Sequence, residues 1–304
     1  MSEKWMKNFE KEVMKDKIDS CLIQHDDKLI FEYYRNKKMK VRQHKIYSVT
    51  KSILSALVGI AIDKGYIPHV NTPIATYFPE YRKESISDEI TIRHLLTMTS
   101  GLHWPGNAVM IPTKNWVEFV LSQPVEYKPG KEREYSCGSS QLLSAILQKA
   151  TGLDTVTFAQ KYLFLPLGIT AYKWNSDSQG IAIGGFGLNM KTEDLLKIGV
   201  LYMNKGQWNS KQIVPSDWVE DSTAAIFKMD NTFSYGYHWW VLTGEDQESP
   251  IPETFFALGK NGQYIFVVPD YKLTAVFTSD ITDGSSRPID YFKKYLLINA
   301  CINT

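Results

Sequence analysis

The chain has 304 residues, 43% of them hydrophobic and 22% charged, with a formal net charge of +1. These are the proportions of a globular protein with a sizeable core, and the near-zero charge excludes a surface built for nucleic acid or an anionic membrane. No apolar stretch has the length of a membrane-spanning helix, the N-terminus lacks the apolar region of a signal peptide, and three cysteines at unrelated spacings (Cys21, Cys137, Cys301) make neither a disulfide framework nor a zinc site. The expectation is a reduced, cytoplasmic protein without metal or organic cofactor.

Taken in order, residues 3–16 read as an amphipathic helix with Trp5, Met6, Phe9 and Val13 on one side. Residues 21–24 and 29–34 read as strands joined by a turn over His25 to Lys28. A basic loop, 35–45, leads to an apolar helix that stops near Lys64-Gly65. Residues 91–102 predict a short helix closed by Gly101, with His94 and His103 as structural polar groups. Further helices are predicted over 142–150, 157–162, 192–204 (capped by Thr192) and 215–222. Gly184-Gly185-Phe186-Gly187 reads as a tight turn, because no Lys-Ser/Thr follows it as a phosphate loop would require. The last part turns strand-like over 237–242, 255–258, 264–268 and 274–279, and closes with an amphipathic helix over 288–302.

This order predicts an α+β fold: an antiparallel sheet flanked by helices, built from both ends of the chain, with a mainly helical insertion. The expected division is one unit whose α/β part covers about 1–65 and 187–304 and whose helical part covers about 66–186.

Ser48-Val49-Thr50-Lys51 opens the apolar run Ile53, Leu54, Leu57, Val58, Ile60. Residues three apart share a helix face, so the Ser48 hydroxyl and Lys51 amine would meet at the first turn. A serine attacks poorly unless a neighbour takes its proton. A lysine takes it only if burial or nearby positive charge lowers its pKa. Alone, the pair reads better as a helix-capping serine followed by a solvated lysine. No other serine in the chain has a lysine at this spacing.

With these residues in place, the chain resembles the serine β-lactamase-like superfamily, in its branch of class C β-lactamases, penicillin-binding proteins and esterase-like enzymes. The resemblance runs over about residues 20–300. It is carried by Ser48-x-x-Lys51, by Thr91-Ile92-Arg93-His94-Leu95-Leu96 through Ser100-Gly101-Leu102, by Pro129-Gly130 ahead of Tyr135, by Pro166-Leu167-Gly168, and by Gly184-Gly185 leading into the Asp194 helix. It implies a catalytic set of Ser48, Lys51 and Tyr135.

Two positions depart from the family pattern. Tyr135-Ser136-Cys137 stands where the family has Tyr-Ser/Ala-Asn, and a thiol is a weak hydrogen-bond partner for a substrate amide. Ala257-Leu258-Gly259 stands where the family has Lys-Thr-Gly or His-x-Gly, so the basic group that helps bind a substrate carboxylate is missing. Lys260 follows one residue later. The departures argue for esters or uncharged amides over β-lactams and carboxypeptidase substrates.

The implied mechanism forms an acyl-enzyme at Ser48, with Lys51 or Tyr135 as base. The oxyanion would lie between the backbone N–H groups of Ser48 and Lys260, beside Gly259, with Cys137 at the substrate side. The expected substrate is a small ester, amide or β-lactam-like molecule, and the expected state a monomer. The alternatives are a degenerate penicillin-binding protein acting as a non-catalytic binding or sensor module, and a true class C-type β-lactamase. A Ser-His-Asp esterase is excluded, since no Gly-x-Ser-x-Gly occurs.

Overall fold

A computed structural model describes residues 3–81, 89–244, 252–282 and 286–297. Its centre is an antiparallel sheet of eight strands. In chain order they are β1 (Ile18–His25), β2 (Lys28–Tyr34), β3 (Phe227–Lys228), β4 (Phe233–Tyr235), β5 (Trp240–Leu242), β6 (Thr254–Gly259), β7 (Gln263–Val268) and β8 (Leu273–Ser279). Side by side they run β2-β1-β8-β7-β6-β5-β4-β3. β1 pairs with β8 from Ile18 opposite Ser279 to His25 opposite Leu273, so an early and a late segment of the chain lie side by side, one strand in from the β2 edge. Asp26 and Asp27, with φ of 45° and 61°, make the two-residue turn between β1 and β2.

Side chains alternate along each strand, and both faces of the sheet are covered. Tyr264, Phe266, Phe277 and Ile23 face α1 (Glu3–Lys15), whose Trp5, Phe9 and Val13 are buried there, and the C-terminal helical segment. Phe9 lies 5.6 Å from the Tyr295 ring, and the Trp5 indole donates to the Tyr295 carbonyl. Phe255, Ala257, Ile265 and Val276 face the opposite way, toward α2 (Val49–Asp63). Every residue of α2 from Val49 to Ala61 is buried. That is the condition under which a helix apolar on all sides is stable, each buried Ile, Leu or Val contributing about 1.5–3 kcal/mol. α3 (Cys137–Thr151) packs on α2 from the helical part, and α4 (Thr192–Met203) packs on β7 and β8.

Several boundaries differ from the sequence reading. The 35–45 stretch is not a plain loop. It holds a short helix, Lys37–Val41, whose Asn36 side chain accepts from Lys38 N, and a strand, His44–Lys45, in a small sheet with Leu188–Met190 and Tyr172–Trp174. The helix after Thr91 ends at Leu96, because Met98 turns to φ 62°, well before Gly101. Thr192 does not cap α4; its hydroxyl is drawn into a buried bond with Ser20 Oγ. The expected strand over 237–242 begins only at Trp240, after a turn in which Gly236 N donates to the Trp239 carbonyl. The last helix is Arg287–Tyr291, widening into a π-helical turn over Phe292–Leu297. Its expected continuation to 302 and Cys301 lie outside the described residues. Among the described residues no helix is long and apolar enough to cross a membrane.

Candidate active site

Ser48 stands at the N-terminal end of α2, after a backbone kink at Tyr47, whose φ of 46° is left-handed. Such a conformation costs a tyrosine about 1–2 kcal/mol, and it persists because its surroundings over-determine it. The Tyr47 carbonyl accepts from both the amide and the hydroxyl of Thr50, and Thr50 Oγ1 in turn accepts from Leu188 N. Ser48 occupies the capping position but makes no capping bond. Its hydroxyl instead lies 3.3 Å from Lys51 Nζ.

Lys51 is 1% exposed. Its ammonium donates to the Gly185 carbonyl at 2.7 Å, to Ser48 Oγ at 3.3 Å and to Cys137 Sγ at 3.3 Å. An ammonium has three donors, so all are directed. Nζ also sits 4.8 Å from the centroid of the Tyr135 ring. Burial works to lower the Lys51 pKa, but the Tyr135 and Cys137 side chains beside it outweigh burial, and the balance raises it above the ordinary lysine value. The direction is opposite to the lowered pKa that a lysine base requires.

The tight turn Gly184–Gly187 forms as expected and serves this ammonium. A Cβ on Gly185 would lie 2.9 Å from Cys137 Cβ, and one on Gly184 would lie 2.1 Å from the Ser140 carbonyl oxygen. The missing side chains let the turn press onto α3 and aim the Gly185 carbonyl at Lys51. Cys137 is the first residue of α3, five residues before the start read from the sequence, because the Ser136 hydroxyl caps the helix by accepting from Ser139 N. Cys137 is 7% exposed and buried against Lys51.

A cleft of about 270 Å³ opens over Ser48, lined by Arg133, Tyr135, Trp240, Leu258, Gly259 and Lys260. Ser48, Tyr135, Gly259 and Lys260 thus line one cleft. Cys137, placed at the substrate side by the sequence reading, is not among the lining residues. Gly259 is held close to the nucleophile segment, since a Cβ there would meet the Ile46 carbonyl at 2.3 Å. Ala257 is fully buried in the core between sheet and α2, so no basic group stands at its position. Among the described residues the Tyr135 hydroxyl makes no hydrogen bond to Ser48; the polar side chain that reaches Ser48 is Lys51.

Arg133, Trp240 and His238 were missed from the sequence. Arg133 lies against the rings of Tyr235, Trp240 and Tyr135 at 4.3, 5.3 and 5.5 Å. Its place two residues before Tyr135 was the available signal. His238 is 1% exposed, with φ 64°, and lies behind Lys51. Its carbonyl accepts from Ser52 on α2, and its Nε2 lies 3.1 Å from Ser140 Oγ on α3, so it ties the two helices together. Burial first, and the Lys51 charge second, push its pKa well below the ordinary histidine value. No sequence spacing could mark it, since its partners lie far away in the chain.

His94 has a structural place, its Nδ1 accepting from Thr91 N at the start of its own helix. His103, Glu126 and Glu134 bring ligand atoms within 4.8 Å of one another, from stretches too far apart in sequence to show a metal spacing. His103 Nδ1 lies 3.2 Å from Glu126 Oε2, so this imidazole and carboxylate pair with each other.

A family model described as "Beta-lactamase" matches residues 19–296. The chain is 23% identical over 299 residues to the 6-aminohexanoate-dimer hydrolase of Paenarthrobacter ureafaciens, covering 88% of this chain and 74% of that protein. Its structure is similar to that of EstCE1, described as a hydrolase with promiscuous acyltransferase activity, with TM-score 0.77, 16% identity, and 95% and 97% of the two chains covered. It is also similar to a D-stereospecific amidohydrolase from Streptomyces, with TM-score 0.73, 14% identity, and 97% and 99% covered. These structural likenesses concern the fold.

Proposed function

Given that the chain belongs to the beta-lactamase family, we propose that it is a serine hydrolase that forms an acyl-enzyme at Ser48 and acts on small esters or amides. The observation that carries the reading is the buried Lys51 ammonium, which touches Ser48 Oγ and faces the Tyr135 ring at the floor of a cleft. A non-catalytic module has no use for a buried lysine charge beside an uncapped serine hydroxyl, because burying a charge is costly.

A protonated lysine cannot accept the serine proton, so the relay falls to Tyr135. Ser48 Oγ attacks the substrate carbonyl carbon. Its proton passes to the Tyr135 oxygen as Tyr135 gives its own proton to the leaving group. The carbonyl oxygen becomes an oxyanion facing the backbone N–H groups of Ser48 and Lys260, and Lys51 stabilises the negative charge that develops during transfer. Water then repeats the sequence on the acyl-enzyme and releases the acid. Lys51 touches both Ser48 and Tyr135, so its charge acts on both ends of the proton transfer.

The test is turnover of p-nitrophenyl acetate, p-nitrophenyl butyrate and nitrocefin by wild type and Ser48→Ala. Ester turnover lost in the variant, with little nitrocefin cleavage, is the expected result. Rapid nitrocefin cleavage would make the protein a working β-lactamase. Equal ester turnover by the variant would remove Ser48 from the mechanism.

A further inference from the structure

The cleft over Ser48 has an unusual charge balance. Its lining contains two cationic side chains, Arg133 and Lys260, and no carboxylate, and Lys51 adds a third cation beneath it. Among the described residues none of the three forms an ion pair with an acid, whereas most other charged contacts pair lysine, arginine or histidine with aspartate or glutamate. The groups that surround Arg133 are rings: Tyr235, Trp240 and Tyr135. Among the described residues its Nε and Nη2 are buried and have no carboxylate acceptor, the polar groups acting on the guanidinium being the Tyr235 and Tyr135 hydroxyls. A partly buried guanidinium without a counter-ion is costly, and removing water from it without replacing its bonds makes the cost larger. The aromatic faces offset part of that cost and hold the side chain in one place beside the cleft. What they do not supply is a formal negative charge.

The absence of a basic residue at Ala257 led the sequence reading toward uncharged substrates. The position of Arg133 reverses that inference. We propose that Arg133, assisted by Lys260, is a specificity-determining residue that selects substrates carrying a carboxylate near the scissile ester or amide. Recognition of the anion is thereby moved from the β6 strand to the stretch that carries Tyr135. Arg133 brings a permanent positive charge to the cleft wall, and the exposed Lys260 adds charge at the mouth, where it draws anions inward. The proposal rests on the serine hydrolase reading, and names the substrate class for it.

The experiment compares p-nitrophenyl butyrate with the p-nitrophenyl monoester of glutaric acid, which differs mainly by a terminal carboxylate. Both are assayed with wild type, Arg133→Gln, Arg133→Lys and Lys260→Gln. Wild type is expected to favour the anionic ester in kcat/KM. Arg133→Gln is expected to lower the anionic-to-neutral ratio about tenfold or more, the size of one hydrogen-bonded contact to a charged group. Arg133→Lys should restore part of the ratio, and Lys260→Gln should lower it less. In wild type, added salt should reduce the ratio, because the cleft is open to solvent. An equal fall on both esters in Arg133→Gln, or a wild-type ratio that favours the neutral ester and ignores salt, overturns the proposal. Should Arg133→Gln fail to fold, the Lys260→Gln ratio and the salt dependence of wild type decide it. Failure of the hydrolase reading looks different: neither ester is turned over by wild type, or Ser48→Ala turns over both.

Discussion

Lys51 directs its three donors to Gly185, Ser48 and Cys137, and the ring of Tyr135 closes over it. In the proposed mechanism this lysine stays charged and stabilises negative charge on its neighbours, and the proton travels through Tyr135. Tyr135→Phe keeps the ring against Lys51 and removes only the hydroxyl. It is expected to lower kcat for ester hydrolysis about 10²–10⁴-fold, the usual worth of a positioned acid–base group. The thermal midpoint should fall only modestly, since the ring stays packed over Lys51 and the ammonium keeps its bonds to Gly185, Ser48 and Cys137. Steady-state kinetics and a melting curve on the same preparation check both statements. Cys137 belongs to the same scale. Its sulfur takes one of the Lys51 donors, which accounts for a thiol at a site where an amide is usual: the group need only be small and accept a bond from the ammonium.

The elements that carry the site were legible in the sequence where their packing is local. The apolar run after Ser48 fixed α2, and the alternating runs fixed β1, β2, β6, β7 and β8, because period alone tells a helix from a strand. The short strands β3 and β4 were not seen. They span two and three residues and are held by pairing with one another and with β5, not by pattern. Helix ends failed for a related reason. The start of α3 depends on the Ser136 cap, and the end of the helix after Thr91 on the left-handed Met98, a conformation no side chain of that kind advertises. Within the site, Ser48, Lys51 and Tyr135 were readable as motif positions, whereas Arg133 and His238 act through contacts that only the tertiary fold creates. The turn that supports Lys51 gives the prediction at this scale. Gly185→Ala would place a methyl 2.9 Å from Cys137 Cβ and 3.1 Å from its Sγ. The turn must move off α3, withdrawing the Gly185 carbonyl from Lys51. Urea unfolding should show a loss of about 1–3 kcal/mol, the cost of overpacking, together with reduced ester turnover.

Over the whole molecule, three buried or half-buried histidines share one behaviour. His44, His94 and His238 all have pKa values lowered from the ordinary 6.5, with burial the largest cause in each and the Lys51 charge a second cause for His238. Below about pH 6.5 the unfolded chain takes up protons at these positions and the folded chain does not. The unfolded state then binds more protons, so stability is fully present above that pH and falls as pH drops through the window toward the folded pKa values. Each strongly shifted histidine contributes up to about 1.4 kcal/mol per pH unit there. The melting temperature should therefore fall between pH 7.5 and pH 5.5, and recover when the pH is returned. A flat profile over that range would contradict the neutral, buried assignment of these side chains.

The central claim is that Ser48 becomes acylated, and intact-mass spectrometry after brief mixing with p-nitrophenyl butyrate at acid quench tests it most directly. The account predicts a species heavier by one butyryl group, mapped by peptide analysis to the Tyr47–Ser48 segment, absent in Ser48→Ala and decaying as product forms. Turnover of the ester by wild type with the adduct on another residue, or with Ser48→Ala as active as wild type, would contradict it.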